Sequence, residues 1–567
     1  MSSVFFLALR RLRAPLIVLI AVFALGIAGL VLIPGRDAQG QPWHLTVFQA
    51  LYFVTYTATT IGYGELPREF GHAQRLWVTV VIFLSVIGWA YLVASLLGLA
   101  RDKAFRGALV WARFRRRVRA LREPFYLICG FGETGLLVGR ALDWLALRFV
   151  VVELDETRAQ ELELMDLAQD APAVAADARL PENLLAAGLA KRECRGVLAL
   201  TNDDHANLAV AMSVRLLNPD VSVLCRAMSQ ETAANMASFG SDHIINPFAK
   251  FGEYLALAIA SPGAYRLTAW LTGLPGTRLK AENTPPGGHW IVCGYGRFGR
   301  EVVQAFRGAG LDVTVIDPGA TEVPGLRTVR GRGTEAGPLL AAGVDLATGI
   351  VAGTDDDINN LSIAVTARAL NARLFTIVRQ NLQANRGLFE AYAADMTMVS
   401  SEIVAHECLA RIQTPALARF LEMLRGKDDA WCDAARARLS AALGEQTPEA
   451  WSVQLSATGA PALHRALVLD KGHIALGDLL RDPGARERRN ACVALALTRG
   501  GGSLALPGDE VPLRPGDEIL FAGTRAARRS QRPLLWNANV RDYVVSGIDL
   551  PGGLISAWAA RRRRAQP

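Results

Sequence analysis

The amino-acid sequence predicts a helical membrane part at the N-terminus, followed by two α/β domains with parallel sheets and a small C-terminal α+β lobe. Three observations carry this prediction. Two apolar runs without charge, residues 14–35 and 76–100, lie near the start of the chain. Further on, a glycine-rich turn between a strand pattern and a helix pattern occurs twice. A chain of 567 residues is also too long for one hydrophobic core.

The two apolar runs are long enough to cross a membrane. They contain 22 and 25 residues, and at about 1.5 Å per helical residue each spans a hydrocarbon core of about 30 Å. Basic residues before the first run would also suit a signal peptide, but the length of the run and the second span favour a membrane helix. Arg10, Arg11 and Arg13 precede the first span and Arg101 and Lys103 follow the second. This positive charge predicts that both termini face the cytoplasm.

The formal net charge of +8 is concentrated in one segment. Nine basic residues and one acid lie between Arg101 and Arg122, and they account for the whole excess. Because this cluster directly follows an apolar run, it indicates contact with membrane lipid. A nucleic-acid partner, which would require basic residues spread over a binding face, is not expected.

The segment between the two spans is too apolar for an ordinary loop. Residues 41–64 contain no Asp, Glu, Lys or Arg and include a run of aromatic residues. One interpretation is an interfacial amphipathic helix that ends in a glycine turn. The other is a re-entrant pore helix, which is tolerated at membrane depth only where its backbone lines a water-filled cavity.

This segment ends in a hexapeptide that resembles the selectivity filter of potassium channels, consisting of Thr59, Thr60, Ile61, Gly62, Tyr63 and Gly64. Ile61 occupies the usual valine position, and Glu65 the usual aspartate position. Rings of backbone oxygens replace the water of a cation, and the two glycines permit the backbone conformations that this requires. The resemblance implies potassium ions at Thr60, Ile61, Gly62 and Tyr63. It also implies a homotetramer, because one chain supplies one strand of the ring.

Gly88, in the second apolar run, is a candidate hinge for a gate inside the pore. Glycine weakens a helix locally and is found where helices bend. A small residue at this position would equally suit close packing against a neighbouring helix.

The two glycine-rich turns have the G-x-G-x-x-G spacing of dinucleotide-binding folds. They consist of Gly130, Gly132 and Gly135 in the first case and of Gly294, Gly296 and Gly299 in the second. In both, an acid follows the first glycine by 23 residues at the end of an apolar strand pattern, Glu153 in the first and Asp317 in the second. That acid is where a ribose diol would be bound.

Further matches between the two segments occur at a fixed offset of 153 residues, which indicates a tandem duplication. The matched pairs are Thr201 and Thr354, Asp204 and Asp357, Asn207 and Asn360, Arg226 and Arg379, and Asp242 and Asp395. The pattern resembles RCK domains, the Rossmann-like regulatory modules of potassium channels and of Trk and Ktr potassium uptake systems. The resemblance covers roughly residues 122–425 and implies a regulatory ligand, NAD, NADH or an adenine nucleotide such as ADP or ATP.

The two repeats differ at positions that would contact the ligand. Arg297 lies beside the phosphate position of the second turn, whereas the first turn has Glu133, which would repel a diphosphate unless it points away. Asp177 belongs to a stretch that the resemblance places at the nucleotide, and Arg332 replaces it in the second repeat. The two sites are therefore expected to differ in ligand or affinity. The alternative is an empty fold in which the glycines only shape the turn.

Calcium, a known ligand class of the RCK family, is a further candidate ligand. The acids at 203–204 and 355–357 would supply oxygen ligands, although acids after a strand often cap the next helix instead.

From about residue 436 the alternating pattern of strands and helices weakens. Strand-like runs at 491–497 and 518–522 predict a small lobe that either binds another ligand or makes dimer contacts, and residues 561–564 form a four-arginine tail.

The whole sequence therefore predicts an α-helical membrane pore, with two spans, a re-entrant pore helix and a filter, followed by two α/β Rossmann-like RCK domains and a small C-terminal α+β lobe. The expected boundaries are 1–100 for the pore, 101–123 for a basic linker to the gate, 124–285 for the first RCK domain, 286–430 for the second, and 431–567 for the terminal lobe and basic tail.

The resulting functional prediction is a prokaryotic tetrameric potassium channel of the inner (plasma) membrane, gated by a ligand that binds a ring of eight RCK domains. No catalytic residue is predicted. One alternative is a membrane-anchored NAD-dependent oxidoreductase, although no separate substrate domain or acid–base pair is found. The other is a regulatory subunit of a potassium transporter, a class that usually lacks its own membrane spans.

Overall fold

The computed structural model describes residues 2–36, 41–65, 68–239, 243–273, 276, 283–319, 324–413, 415–424, 426–470 and 473–547. The chain forms two compact units, Met1–Leu121 and Arg122–Pro567. The four-arginine tail at 561–564 and Asp242 lie outside the described residues.

The first unit is helical. Its elements are α1 (Ser2–Leu32), β1 (Gly35–Arg36), β2 (Pro42–Trp43), α2 (Val47–Ala58), α3 (His72–Arg101) and α4 (Lys103–Ala120). Segments Leu9–Leu32 of α1 and His72–Arg101 of α3 are long and apolar enough to cross a membrane. The short helix α2 lies between them in sequence, as the re-entrant interpretation requires, and a capping box between Thr46 and Gln49 begins it.

The two long helices pack closely because glycines on α1 face large side chains on α3. A Cβ atom at Gly29 would lie 2.1 Å from Cε2 of Trp77, and one at Gly26 would lie 3.1 Å from Cγ1 of Val81. The indole nitrogen of Trp77 donates to the carbonyl of Gly26 at 3.3 Å. Gln74, which is buried, donates to the carbonyl of Ile33 at 3.1 Å. Small residues at a helix interface allow this approach.

The second unit begins with a six-stranded parallel sheet in the order β5-β4-β3-β6-β7-β8, the order of a dinucleotide-binding fold. Its elements, with the two helices that follow, are β3 (Phe125–Cys129), α5 (Glu133–Trp144), β4 (Arg148–Glu153), α6 (Glu156–Leu164), β5 (Ala173–Ala175), α7 (Pro181–Ala186), β6 (Cys194–Ala199), α8 (Asp204–Leu217), β7 (Ser222–Arg226), α9 (Gln230–Ser238), β8 (His243–Ile245), α10 (Pro247–Ala260) and α11 (Pro262–Thr272).

A second parallel sheet repeats this topology in the order β11-β10-β9-β12-β13-β14. Its elements, with the helices that follow, are β9 (His289–Cys293), α12 (Arg297–Gly308), β10 (Asp312–Asp317), β11 (Arg327–Arg330), α13 (Ala336–Ala341), β12 (Gly349–Ala352), α14 (Asp357–Leu370), β13 (Phe375–Gln380), a 3₁₀ turn (Gln383–Asn385), α15 (Arg386–Tyr392), β14 (Met396–Val399), α16 (Ser400–Gln413), α17 (Pro415–Leu424) and α18 (Asp429–Leu443). The two sheets confirm the predicted pair of Rossmann-like domains.

The two repeats exchange a helix. Helix α10 follows the last strand of the first sheet but packs on α12 of the second repeat, where Phe248 and Phe251 join the core around Phe298. Helix α16 follows the last strand of the second sheet but packs on α5 of the first repeat, where Val404 and Cys408 join the other core. Each repeat therefore completes its hydrophobic core with residues of the other.

The remaining elements form an α+β lobe, as predicted. They are β15 (Glu449–Gln454), α19 (Pro461–Arg465), a π-helical turn (Ala466–Asp470), α20 (Leu476–Leu479), β16 (Arg481–Asp482), β17 (Ala485–Arg489), β18 (Cys492–Arg499), β19 (Gly502–Ala505), β20 (Glu518–Gly523), α21 (Arg525–Trp536) and α22 (Ala538–Ser546). Four strands form an antiparallel sheet in the order β15-β20-β18-β19. Helices α21 and α22 contribute Leu534 and Val544 to the core of the lobe.

Candidate functional site

The turn that follows α2 has an unusual backbone. Every second residue is left-handed, with φ of 61° at Thr60, 63° at Gly62 and 72° at Gly64. In an ordinary extended strand, successive carbonyls point to opposite sides. Left-handed residues at alternate positions would turn them towards one side, which is the arrangement that a row of cation ligands needs.

The two glycines are required by this conformation and not by lack of space. A Cβ atom at Gly62 or Gly64 would meet no atom of the chain within 4 Å, but it would be strained at the observed φ. Thr60 adopts the same left-handed conformation despite its branched Cβ, which is rare for such a residue. Strain of this kind is held by the surrounding structure and is frequent at functional sites.

Hydrogen bonds from α2 hold the turn in this shape. The carbonyl of Tyr56 accepts from the backbone nitrogens of Ile61 and Gly62 at 3.0 and 3.3 Å. The hydroxyl of Tyr56 donates to the carbonyl of Glu65 at 3.1 Å, and that of Tyr52 donates to the Glu65 carboxylate at 3.1 Å. Tyr52 and Tyr56, two residues of the aromatic run, therefore support the turn from α2.

Gly88 lies inside α3, which is one continuous helix from His72 to Arg101. A Cβ atom at Gly88 would make an ordinary contact of 3.5 Å with Cδ1 of Leu19 on α1. This contact fits the packing role that the sequence left open, while the hinge remains a prediction.

The first glycine-rich turn connects β3 to α5. Gly130 is left-handed with φ of 94°, and a Cβ atom there would lie 2.8 Å from the backbone nitrogen of Thr201. A Cβ atom at Gly135 would lie 2.3 Å from the carbonyl oxygen of Gly130. Gly132 is the N-cap of α5. The first and third glycines are thus needed for the turn itself and for the close contact of helix and strand.

The second turn, between β9 and α12, has the same geometry. Gly294 also has φ of 94°, and a Cβ atom at Gly299 would lie 1.9 Å from the carbonyl oxygen of Gly294. Gly296 is the N-cap of α12, and a Cβ atom there would meet no atom of the chain within 4 Å. At Gly132, by contrast, Nη1 of Arg158 would lie 3.2 Å from such an atom. The second turn therefore leaves open space at its middle glycine.

The two predicted ribose-binding acids both lie at their turns. The carboxylate of Glu153 accepts hydrogen bonds from the backbone nitrogens of Phe131 and Asp155. Asp317 accepts from Tyr295 at 2.7 Å and from Gly319 at 2.8 Å. A carboxylate has spare lone pairs beyond two such bonds. Glu153 is only 7% exposed, whereas Asp317 is half-buried, so Asp317 is the more accessible of the two.

The third predicted residue of the first site, Asp177, forms an ion pair. Its carboxylate accepts from the guanidinium of Arg179, with Oδ2 and Nη2 2.7 Å apart. This hydrogen bond holds the pKa of Asp177 below its usual value. Arg332, at the corresponding place of the second repeat, is exposed.

Glu133 and Arg297 begin corresponding helices but have different surroundings. The carboxylate of Glu133 accepts a hydrogen bond from the backbone nitrogen of Gln383 in the second repeat, at 2.8 Å, so it is engaged in a contact between repeats. Arg297 is exposed, and its guanidinium lies 6.0 Å from the ring centre of Phe248. A cation at a helix N-terminus is unfavourable without a nearby anion. Arg297 is thus suited to bind one.

Arg226 and Arg379 lie near Arg297. They are a matched pair of the tandem duplication, but the sequence did not assign them a role. Arg379 lies over the rings of Phe248 and Phe298, at 4.8 and 5.7 Å, and burial lowers its pKa to about 10. Burial also lowers the pKa of Arg226. In the described part of the chain, Nε of each arginine lacks a hydrogen-bond partner. Arg379 and Arg297 both lie against Phe248 of the exchanged helix α10, a contact that spacing along the chain does not encode.

A threonine and an asparagine have the same structural role in both repeats. The side-chain oxygen of Asn207 accepts from the backbone nitrogen of Thr201 at 3.0 Å, and its amide donates to the carbonyl of Arg226 at 2.9 Å. Asn360 makes the same bonds, with Thr354 at 2.8 Å and Arg379 at 2.8 Å. These hydrogen bonds connect the ends of neighbouring strands.

Four of the five acids proposed for calcium cap helices or accept hydrogen bonds from backbone nitrogens of loops. Asp203 caps α8 and Asp356 caps α14. Asp204 accepts from the backbone nitrogens of Met228 and Ser229. Among the described residues there is no group of three or more His, Cys, Asp or Glu side chains that could hold a metal ion.

Comparison with protein families gives two matches. Residues 17–101 match the family described as Ion channel, and residues 126–247 and 290–400 both match the TrkA-N domain. The ion channel match contains residues 17–32 of α1, the whole of α3 and the strained turn, and each TrkA-N match contains one glycine-rich turn.

Curated relatives include potassium channel proteins. Potassium channel protein 1 of Methanocaldococcus jannaschii is 24% identical over 216 residues, which are 38% of this chain and 63% of the relative. The voltage-gated potassium channel Kch of Escherichia coli is 23% identical over 217 residues, 37% of this chain and 49% of the relative. An uncharacterized protein of Methanothermus fervidus is 25% identical over 47% of this chain. The chain spans 39%, 63% and 62% of the first three relatives.

Among solved structures, the GsuK channel bound to NAD covers 94% of this chain and 99% of its own length, with 16% identity and a TM-score of 0.47. The structure of GsuK bound to ADP covers 71% of this chain and 98% of its own length, with 18% identity and a TM-score of 0.43.

Proposed function

Because the chain contains an ion channel domain followed by two TrkA-N domains, we propose that it is a potassium-selective channel gated by a nucleotide. The observation that carries the proposal is the turn after α2, where three alternate residues are left-handed between two helices long enough to span a membrane. The backbone from Thr59 to Gly64 supplies the filter, and oxygens from Thr60 to Tyr63 replace the water of the permeating potassium ions.

One chain supplies one filter strand, so the channel is a homotetramer with the pore on its axis. Eight TrkA-N domains then form a ring on the cytoplasmic side of a prokaryotic inner membrane, and both termini are cytoplasmic. The pore comprises residues 1–100, and residues 101–123 transmit movement from the first domain at 124–285 to the inner helices. The second domain comprises 286–430 and the terminal lobe 431–567.

The second repeat is the stronger candidate for nucleotide binding. Its turn has open space at Gly296 and the exposed cation of Arg297 at the start of α12, and both features suit a diphosphate at a helix N-terminus. Gly294 and Gly299 shape the turn, and Asp317 holds the ribose. Gly130, Gly132, Gly135, Glu153 and Asp177 form the corresponding site of the first repeat, where Glu133 takes the place of the cation Arg297.

The ligand in this proposal is NAD, NADH, ADP or ATP, and it acts by binding one shape of the ring more tightly than another. A differential affinity of about 1 to 3 kcal/mol is enough to shift the gate usefully. The nucleotide domains sense the ligand and do not catalyse a reaction, so the protein is not an enzyme. Steady consumption of NADH with any small substrate would contradict this part of the proposal.

The experiment is a planar bilayer recording on the purified full chain, with KCl on one side and NaCl on the other. We expect a reversal potential close to the potassium equilibrium value, and a change in open probability when NAD, NADH, ADP or ATP is added to the cytoplasmic side. Adding calcium in the same recording tests that ion as a second ligand. A reversal potential near zero would contradict potassium selectivity.

A further inference from the structure

A cleft in the terminal lobe is separate from both the filter and the glycine-rich turns. It lies between β15, α21 and the loop after α5, where Leu145 and Ala146 form part of its wall. Its volume is about 420 Å³, within the range of about 300 to 1,000 Å³ that is typical of small-molecule sites. Its walls come from the first repeat and from the terminal lobe.

The cleft carries an excess of positive charge on one helix face. Arg525, Arg528, Arg529 and Arg532 of α21 all line it. Their spacing of three, four and seven residues places them side by side on the helix. Like charges at this spacing repel each other, so the face is unfavourable unless anions compensate it.

Only two of these four arginines have a partner among the described residues. The guanidinium of Arg528 pairs with the carboxylate of Glu449, and that of Arg525 lies 5.5 Å from the ring centre of Trp144. Arg529 and Arg532 are exposed, and no carboxylate in the described ranges pairs with either of them. Two guanidinium groups are therefore available to an anion that enters the cleft.

Glu449 adds a second kind of unsatisfied group. It lines the cleft but is only 3% exposed, and one of its oxygens pairs with Arg528. In the part of the chain that the structure describes, the other oxygen, Oε2, is buried without a hydrogen-bond partner. A buried acceptor left unpaired is costly, and an incoming hydroxyl or amine would satisfy it.

We propose that this cleft binds a small phosphate-bearing molecule that also carries a hydroxyl or amine. Arg529 and Arg532 bind the phosphate oxygens, since guanidinium groups match phosphate geometry and form strong charge-assisted hydrogen bonds. Glu449 accepts a hydrogen bond from the donor group, and the exposed ring of Trp536 offers a flat apolar wall. A molecule bound there contacts the first repeat and the terminal lobe together.

The test is isothermal titration calorimetry on the purified full chain in detergent, with ribose 5-phosphate and inorganic phosphate as probes. Because the glycine-rich turns could also bind phosphate, the titrations are repeated in an Arg297→Glu background. Arg529→Ala combined with Arg532→Ala should weaken binding of ribose 5-phosphate about tenfold or more. The matched control, Arg488→Ala with Arg514→Ala, removes two exposed arginines of the same lobe outside the cleft and should leave the affinity unchanged. Equal affinities in all variants would overturn the proposal.

A second variant tests the acceptor. Glu449→Gln keeps the size of the side chain but weakens its acceptor, so the preference for ribose 5-phosphate over inorganic phosphate should fall. An unchanged preference would rule out the role of Glu449 in binding the donor. Because the readout is binding and not current, failure of this site and failure of the channel proposal remain distinguishable.

A third arm separates a soluble ligand from a lipid headgroup, which would offer the same phosphate. The titration is carried out in nanodiscs of phosphatidylcholine alone and of phosphatidylcholine with phosphatidylglycerol. We expect equal affinity for ribose 5-phosphate in both. Loss of binding in the anionic nanodiscs would identify the cleft as a headgroup site and overturn the proposal of a soluble ligand.

Discussion

At the scale of single residues, the turn after α2 is a case where conformation alone dictates the residue type. Gly62 and Gly64 have free space around them, yet each adopts a φ that strains a residue with a Cβ atom. The left-handed conformation costs about 1 to 2 kcal/mol for an ordinary residue. In a tetramer the same cost would be incurred four times around one axis.

We therefore expect Gly62→Ala to abolish potassium-selective current while the protein still assembles. The strain would shift the backbone that carries the ion ligands. The measurement is the reversal potential in the KCl and NaCl recording, with assembly checked by size-exclusion chromatography. Gly98→Ala, a change in α3 where a Cβ atom also meets no atom of the chain and φ is not left-handed, is the matched control and should conduct normally. Selective current from the Gly62 variant would contradict the assignment of the filter.

A second residue-scale prediction concerns Arg297. Arg297→Glu should weaken nucleotide binding at the second turn about tenfold or more, because it replaces a phosphate partner with a like charge at the start of α12. Calorimetry with NAD and ADP measures the effect, and ion selectivity should stay unchanged. Arg307→Glu, an equal change in charge at the other end of α12, should bind normally. Unchanged nucleotide affinity in the Arg297 variant would remove that residue from the site.

The sequence could predict the glycines and acids of both turns because their spacing along the chain is fixed by the strand–turn–helix unit. It could not predict the surroundings of Arg379 or the hydrogen bond that the backbone nitrogen of Gln383 donates to Glu133, since both depend on contacts between residues of different repeats. Those contacts follow from tertiary packing, which local spacing does not encode.

At the scale of elements, the segment predicted as a basic linker at 101–123 is mostly a helix. Asp102 ends α3, caps α4 through the backbone nitrogen of Phe105, and pairs with Arg11 at 2.8 Å. Phe114 and Val118 of α4 are buried. The apolar positions of this segment, four residues apart among many charges, indicate a helix with one buried face. The strands predicted at 491–497 and 518–522 agree more closely with β18 and β20, because each is a short apolar run.

The exchanged helices α10 and α16 are joined by a buried ionic group. The hydroxyl of Tyr254 on α10 donates to the carboxylate of Glu407 on α16 at 2.6 Å, and Arg411 pairs with the same carboxylate. Burial alone would raise the pKa of Glu407, but Lys250, Tyr254 and Arg411 together outweigh it, so the pKa is lowered. The ionised carboxylate is thus the form that stabilises the contact between the repeats.

The lowered pKa of Glu407 predicts a contribution to stability that is lost in acid. Since the folded pKa of Glu407 lies below its unfolded value of about 4.3, the contribution is present above that pH and is lost as the pH falls through the folded value. The difference in Tm between the wild type and Glu407→Gln should therefore be largest near neutral pH and shrink below about pH 4. Glu402→Gln, on the same helix but with only a 3.9 Å contact to Arg386, should show a smaller difference. A constant difference for Glu407→Gln at all pH values would contradict this account.

At the scale of the whole molecule, the boundary between the two compact units lies at Leu121 and Arg122. The pore and the ligand-binding domains can therefore be tested separately. A chain that ends at Leu121 retains α1 to α4 and the filter but no TrkA-N domain. We expect it to give potassium-selective current that does not respond to NAD or ADP, measured in the same bilayer recording. A nucleotide response from the truncated chain would place the sensor outside the TrkA-N domains.

The helix exchange between the repeats also has a consequence for the nascent chain during translation. The first sheet is complete once β8 has left the ribosome, but the helix that covers α5 is α16, and it ends at Gln413. At about 5 to 20 residues per second, translation from β8 to the end of α16 takes roughly 8 to 35 seconds. During that interval the apolar face that later binds Val404 and Cys408 stays uncovered. A stalled ribosome would therefore leave a half-built domain whose exposed apolar surface is prone to aggregate.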